Sequence, residues 1–275
     1  MIKLEKPLAS GWMAAVRGLR NPMNSWEKSD SVFKVDDGPI GIDILGRPVE
    51  LSGDIKWRSL GFETVIIGEK DHDLMMRMAR GGSDEAKFRR MINVTVDITA
   101  PLYWWKEFDT YKVGTVANSC STMHKIHDKE FTLEDFSCEH LLCYDKDSGE
   151  DENGKFKPYT NAFVPIDGRL AMDTEGDMNH YTLLYIYPLE HLKLTIELLN
   201  NAREYFIKTH DKIWWWQMIQ LLPSSYNQKR TVQLNYEVLA GIYPKRKEHK
   251  LDEWRGFCEW IKMLPYSEII TLLNK

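Results

Sequence analysis

Apolar residues between Pro188 and Thr209 recur at Leu189, Leu192, Ile196, Leu199, Ala202 and Phe206, which is the one-faced spacing of a long amphipathic helix. A second helix is predicted from about Asp211 to Leu222, where Pro223 and two serines break it. Leu251 to Leu264 is amphipathic again and stops at Pro265. Near the start, Ser10 precedes an apolar run and predicts a capped helix to about Arg20. Asp71 is placed to cap a helix through Arg80, ended by Gly81-Gly82, and Ser83-Asp84-Glu85 begins a further short turn.

The period changes to two in Met91 to Ile98, which predicts a half-buried strand. Pro101 suits the first turn of a helix running from Leu102 to about Thr110. Thr64-Val65-Ile66-Ile67 and Arg230 to Leu234 read as short strands, and Asn235 is a good N-cap for a helix through about Tyr243. Three stretches carry neither period. Residues 21–61 read as loop with short strands, and residues 145–180 as an exposed polar insertion. The third is YKVGTVANSCSTMH, residues 111–124. Helices and strands mix without regular β-α-β alternation, so the fold class is α+β.

The chain has 275 residues, 43% of them hydrophobic and 28% charged, with a formal charge of −5, so a general nucleic-acid binder with its basic footprint is not expected. No apolar run approaches the length of a membrane-spanning helix, and Met1 to Lys6 has no signal core, so a cytoplasmic protein with free thiols is expected. Ten tryptophans are many for this length, and Trp214-Trp215-Trp216 cannot all face one way on a helix. At least one should meet solvent, a pocket or a partner.

Several chemistries have candidate residues. Cys138, His140 and Cys143 could supply three zinc ligands, though without a C-x2-C pair. Cys120 is a candidate nucleophile with His124 four residues on, against the commoner reading of an inert thiol. Neither glycine-rich phosphate motif occurs, so phosphate would fall to side chains such as Lys112, Lys229, Arg230 and Arg246.

The C-terminal third carries a more specific pattern. Leu222-Pro223 is followed at twelve residues by Asn235, which ends Thr231-Val232-Gln233-Leu234, and eleven beyond that by Arg246. His249, Glu253 and Trp254 come next, then Pro265-Tyr266. This resembles the flavin-dependent thymidylate synthases (ThyX). The resemblance extends to residues 88–124: Ala100-Pro101 ends a strand, and Glu107 falls where that family has a Gln. Thr110-Tyr111-Lys112 falls on its Arg-His-Arg triplet, Thr115 on its first Ser, Ala117-Asn118 near its Asn-Glu, Cys120 on the Ser beside the pyrimidine and Thr122 on its last Arg. Ile219 and Gln220 stand where the family places a further Arg.

The resemblance implies a ThyX-like single domain with a mainly antiparallel central sheet flanked by helices. Its core would span about residues 63–124 and 188–273, with an insertion over about 125–187. It implies a homotetramer that binds FAD and methylates dUMP, or a related pyrimidine nucleotide, with methylenetetrahydrofolate and NADPH. On this resemblance Cys120 is the catalytic position. Glu107, Lys112, Asn118, Thr122 and Arg246 would contact the nucleotide, and Thr110, Tyr111, Lys112, Thr115, Asn235 and His249 the flavin. No metal is expected. The altered triplet leaves a second reading open: a catalytically degenerate ThyX-fold protein that binds a nucleotide or a protein partner.

Overall fold

The computed structural model describes residues 2–34, 40–50, 58–60, 63–143, 160–165 and 181–272. In chain order, β1 (Lys3–Ser10) leads into α1 (Trp12–Arg20). Five short strands follow: β2 (Val32–Lys34), β3 (Ile40–Ile42), β4 (Pro48–Glu50), β5 (Arg58–Leu60) and β6 (Glu63–Ile66). Next come α2 (Glu69–Arg80), a 3-10 segment (Ala86–Met91), β7 (Asn93–Pro101), α3 (Leu102–Phe108) and β8 (Val116–Ser119). Strands β9 (Thr160–Pro165) and β10 (Tyr181–Ile186) precede α4 (Pro188–Thr209) and α5 (Lys212–Leu221). The chain closes with β11 (Asn227–Asn235), α6 (Tyr236–Arg246), α7 (Asp252–Met263) and α8 (Glu268–Thr271). The architecture is α+β, with antiparallel sheets flanked by helices. Contacts divide it into two units, Met1–Cys120 with Asn227–Lys275, and Ser121–Tyr226.

The first unit is built on a four-stranded antiparallel sheet in the order β1-β7-β11-β8. Its centre follows directly from the two-residue period. Val94, Val96, Ile98 and Ala100 of β7, with Val232 and Leu234 of β11, are buried on one face. Asn93, Thr95, Asp97 and Thr99 alternate onto the other. Against the buried face pack Trp104, Trp105 and Phe108 of α3 and Trp254 and Phe257 of α7. Trp104 stacks on Phe108 at 5.0 Å between centroids and lies 4.8 Å from Trp254. These rings bury a large apolar area, and their offset and edge geometry adds to it. A second, five-stranded antiparallel sheet runs β4-β3-β2-β6-β5; β2 to β5 lie in the stretch read as loop with short strands, and β6 on the strand expected at Thr64 to Ile67.

Several boundaries differ from the expectations. The cap of α1 is Gly11, not Ser10: its φ is +93°, and a Cβ there would stand 2.1 Å from the Met91 carbonyl oxygen, so only glycine fits. Asp71 is not a cap either. Asp30 takes that role, accepting from the amides of Lys70 and Asp71 at 3.0 and 3.1 Å. Asp71 instead lies inside the first turn of α2, fully buried. It accepts from Arg20 Nε at 2.7 Å, from the hydroxyls of Ser29 and Ser31 at 2.6 Å each and from the Ser31 amide at 3.1 Å.

The second unit centres on Ile126, Phe131, Phe136, Leu192, Ile196, Leu199, Ala202 and Met218. The expected face of α4 is the one that is buried, at Leu192, Ile196, Leu199 and Ala202. Of the tryptophan triplet, Trp214 stacks on Tyr205 at 4.6 Å, Trp215 donates to the Met123 carbonyl at 2.8 Å, and Trp216 faces solvent, 43% exposed. The hairpin of β9 and β10 lies in the expected insertion; residues 144–159 and 166–180, most of the polar stretch read as exposed, lie outside the described residues.

Candidate functional site

Two helix ends and one loop converge on Arg246. The last turn of α6 carries it, α3 carries Glu107, and Tyr111 follows α3. Arg246 Nη1 meets Glu107 Oε2 at 2.7 Å and its Nε donates to the Tyr111 hydroxyl at 2.9 Å. Its guanidinium carbon lies 4.5 Å above the Trp254 ring and 5.7 Å from that of Tyr111. Trp254 Nε1 donates to the same Glu107 oxygen at 2.8 Å. His249 Nδ1 accepts from the Leu251 amide at 3.2 Å, which turns Nε2 toward Glu107 at 3.6 Å. The Arg246 and Glu107 side chains are only 18% and 37% exposed, so this pair is partly desolvated and fixed on several sides. Two groups stay unmatched: Arg246 Nη2 and Glu107 Oε1 make no hydrogen bond among the described residues.

The loop from Thr110 to Thr115 lies against the start of α6. Asn235 caps that helix, its Oδ1 accepting from the Val238 amide at 3.0 Å. Gly114, at φ +76°, passes so close that a Cβ would stand 3.1 Å from both Asn235 Nδ2 and Val238 Cγ2. The Thr115 hydroxyl is buried without a hydrogen-bond partner among the described residues, which is a costly state. Lys112 is exposed and has no ion pair among the described residues. The Thr110 hydroxyl, by contrast, donates to the Glu107 carbonyl at 2.7 Å.

Beyond the loop, β8 runs along the sheet edge with all four residues exposed. Asn118 sits opposite Thr231, and Thr231 donates to Asp97 at 2.7 Å. That bond, with Lys229 beside it, holds the Asp97 carboxyl below the usual range. Cys120 is exposed, but its backbone is fixed at both ends: its amide donates to the Lys229 carbonyl at 2.9 Å, and its carbonyl accepts from Gln228 Nε2 at 2.7 Å. Gln228 also accepts from Arg230 Nε at 2.9 Å, and Arg230 is held by Asp109 at 2.7 Å and lies 4.1 Å from the Trp105 ring.

The fold therefore gathers Glu107, Tyr111, Arg246 and His249 into one cluster, and brings Gly114, next to Thr115 in the chain, against Asn235. Thr122 lies in the second unit. The supporting residues Gln228, Asp109 and Trp105 were not expected. Their signal was present: Gln228 and Arg230 are polar residues on the face of β11 that Val232 and Leu234 make apolar. The zinc alternative is corrected. Among the described residues no group of three or more His, Cys, Asp or Glu is arranged to hold a metal ion, and Cys138 has its thiol pushed up by burial and by Glu139. Thiolate, the ligand form, is disfavoured there.

No protein-family model matches the chain, and no curated protein does. Solved structures do. ThyX from Helicobacter pylori, crystallised with FAD and dUMP, superposes with a TM-score of 0.53 at 12% identity, covering 98% of this chain and 97% of that one. A second Helicobacter pylori ThyX complex with the same two ligands gives 0.52 at 12% identity and 97% of each chain. The UMP/dUMP methylase PolB from Streptomyces cacaoi, bound with 5-Br dUMP, gives 0.51 at 13% identity over 98% of this chain and 94% of that one. The chain has the ThyX fold over nearly its whole length.

Proposed function

We propose that this chain binds a pyrimidine nucleotide at the Glu107–Arg246 cluster and methylates it reductively, with FAD as cofactor and methylenetetrahydrofolate and NADPH as co-substrates. One observation carries the reading. Arg246 Nη2 and Glu107 Oε1 are a donor and an acceptor unused among the described residues, on a pair that protein contacts hold in place. The imide edge of a uracil ring offers the complementary carbonyl and N–H. The likeness of fold to proteins crystallised with dUMP and 5-Br dUMP supports the same substrate class.

The loop residues fit a flavin in part. Lys112 supplies a cation for a phosphate, and Thr115 and Asn235 Nδ2 supply polar groups with no partner among the described residues. Bound there, the flavin would supply the hydride that reduces the transferred one-carbon unit to a methyl group. Methylenetetrahydrofolate gives the carbon, NADPH the two electrons, and the pyrimidine carbon loses its proton. On the sequence resemblance Cys120 falls on the residue beside the pyrimidine, and its backbone is fixed by Gln228 and Lys229. This reading takes the chain as one catalytic domain and its assembly as a tetramer, which light scattering would check.

Calorimetric titration with dUMP tests the site. Saturable binding is expected, weakened at least about tenfold by Arg246→Ala, because the variant loses a charge-assisted donor. Incubation with FAD should leave the purified protein yellow. A protein that takes up neither FAD nor dUMP overturns the proposal. A second reading has its own observation: Glu107 already neutralises Arg246, and Lys112 is the one cation left on the triplet positions. A fold that keeps nucleotide binding without chemistry would follow. Release of tritium from labelled dUMP in the presence of NADPH and folate separates the two readings, since only an active enzyme releases it.

A further inference from the structure

None of the residues around the end of α1 and the facing side of α2 belongs to the Glu107–Arg246 cluster. The end of α1, the turn after it and one face of α2 line an open pocket of about 320 Å³, within the range of small-molecule sites. Lys70, Leu74 and Arg77 share that face at helical spacing, with Asp73 beside them. Arg20, Ser25, Lys28 and Met23 close the other sides. Four cations thus face one carboxylate, Asp73. Lys28, Lys70 and Arg77 form no ion pair among the described residues; Arg77 Nη2 meets only the Met23 sulfur, at 3.9 Å.

Two polar groups in the wall are buried with hydrogen-bonding capacity left over among the described residues. Arg20 is 5% exposed, and both its Nε and Nη2 lie 2.7 Å from the single oxygen Oδ1 of Asp71. Only Nε is aligned as a hydrogen bond; Nη2 is buried without one. The Ser25 hydroxyl, on a residue 8% exposed, is buried with no hydrogen-bond partner among the described residues. Buried donors left unpaired are costly and rare, and those in a native wall call for an acceptor. The helix end does not supply the site, because Asp30 already takes the amides of Lys70 and Asp71. Asp71, saturated by Ser29 and Ser31, holds the Arg20 guanidinium from behind. The Arg20 guanidinium is therefore held in place before any ligand arrives.

We propose that this pocket is a second anion site, which takes the phosphoryl group of a phosphorylated small molecule. Arg20 and Arg77 grip the phosphoryl oxygens, Lys28 and Lys70 add charge, and the Ser25 hydroxyl donates once turned toward it. Guanidinium forks match phosphate oxygens in geometry and charge. Met23 and Leu74 give the organic part of the ligand an apolar wall.

Titration of the full chain with inorganic pyrophosphate, followed by calorimetry, tests this. Saturable binding is expected, and the double variant Lys28→Ala/Arg77→Ala should weaken it at least about tenfold. Both residues are exposed, so the fold should hold; a thermal melt checks that, and Lys70→Ala is the second variant, with the same direction expected. Arg246→Ala should leave pyrophosphate binding unchanged while it weakens dUMP binding, so this site and the nucleotide reading can fail separately. The proposal is overturned by an absence of saturable pyrophosphate binding, by binding that the Lys28, Arg77 and Lys70 variants leave unchanged, or by binding that Arg246→Ala removes.

Discussion

Cys258 and Cys120 show how burial decides the chemistry of one residue type. Cys258 is 1% exposed on α7, and burial, with Glu259 nearby, pushes its thiol up to about 11. Cys120 is exposed and directly follows the exposed strand β8. Alkylation of the native protein with iodoacetamide near neutral pH should therefore modify Cys120 and spare Cys258, read by mass spectrometry of peptides; equal labelling of both would contradict the packing of α7. The same shift makes stability depend on pH. The folded state keeps the Cys258 proton to a higher pH than the unfolded chain does, so this contribution is complete below the ordinary thiol range and is lost as pH rises toward about 11. At this scale Glu107 and Arg246 were legible, because their spacing matched a known pattern. Gln228 and Asp109 were not, because what they do depends on which strand and helix they face.

The element that presents the site is the loop between α3 and β8, locked against α6. Gly114→Ala puts a side chain into a left-handed backbone and against Asn235, and should cost about 1–2 kcal/mol of stability, seen as a lower Tm. Asn235→Ala removes the cap of α6 and should cost about 1 kcal/mol. Both should also weaken FAD uptake if the loop holds the flavin. The central strands β7 and β11 were legible because one face of each is buried, which writes a period of two into the residues. Edge strands carry no such signal. All four residues of β8 are exposed, and β1 contains Pro7, a bulge between Glu5 and Leu8 and Lys6 at φ +51°. Backbone pairing holds these strands, and pairing leaves no periodicity.

Across the first unit, Asp71 ties α1, the segment before β2 and α2 together through one buried carboxylate. Asp71→Ala would leave Arg20 charged and buried without its partner, and should cost about 3–5 kcal/mol in chemical denaturation. A change near zero would mean that water or another acid replaces the carboxylate. From sequence this residue read as a helix cap, since a cap and a buried network differ only in what lies across the fold. The sequence by itself determined the α+β class, the amphipathic helices α4 and α7, the paired strands at the sheet centre and the ThyX-like order of Pro223, Asn235 and Arg246. Those follow from local periods and spacings, which every residue senses through its own neighbours in the chain. Only the tertiary structure decided that Glu107 neutralises Arg246, that the Thr115 and Ser25 hydroxyls are left without hydrogen bonds among the described residues, and that four cations line one pocket. Those are facts of distance between segments far apart in sequence, and burial sets their energies.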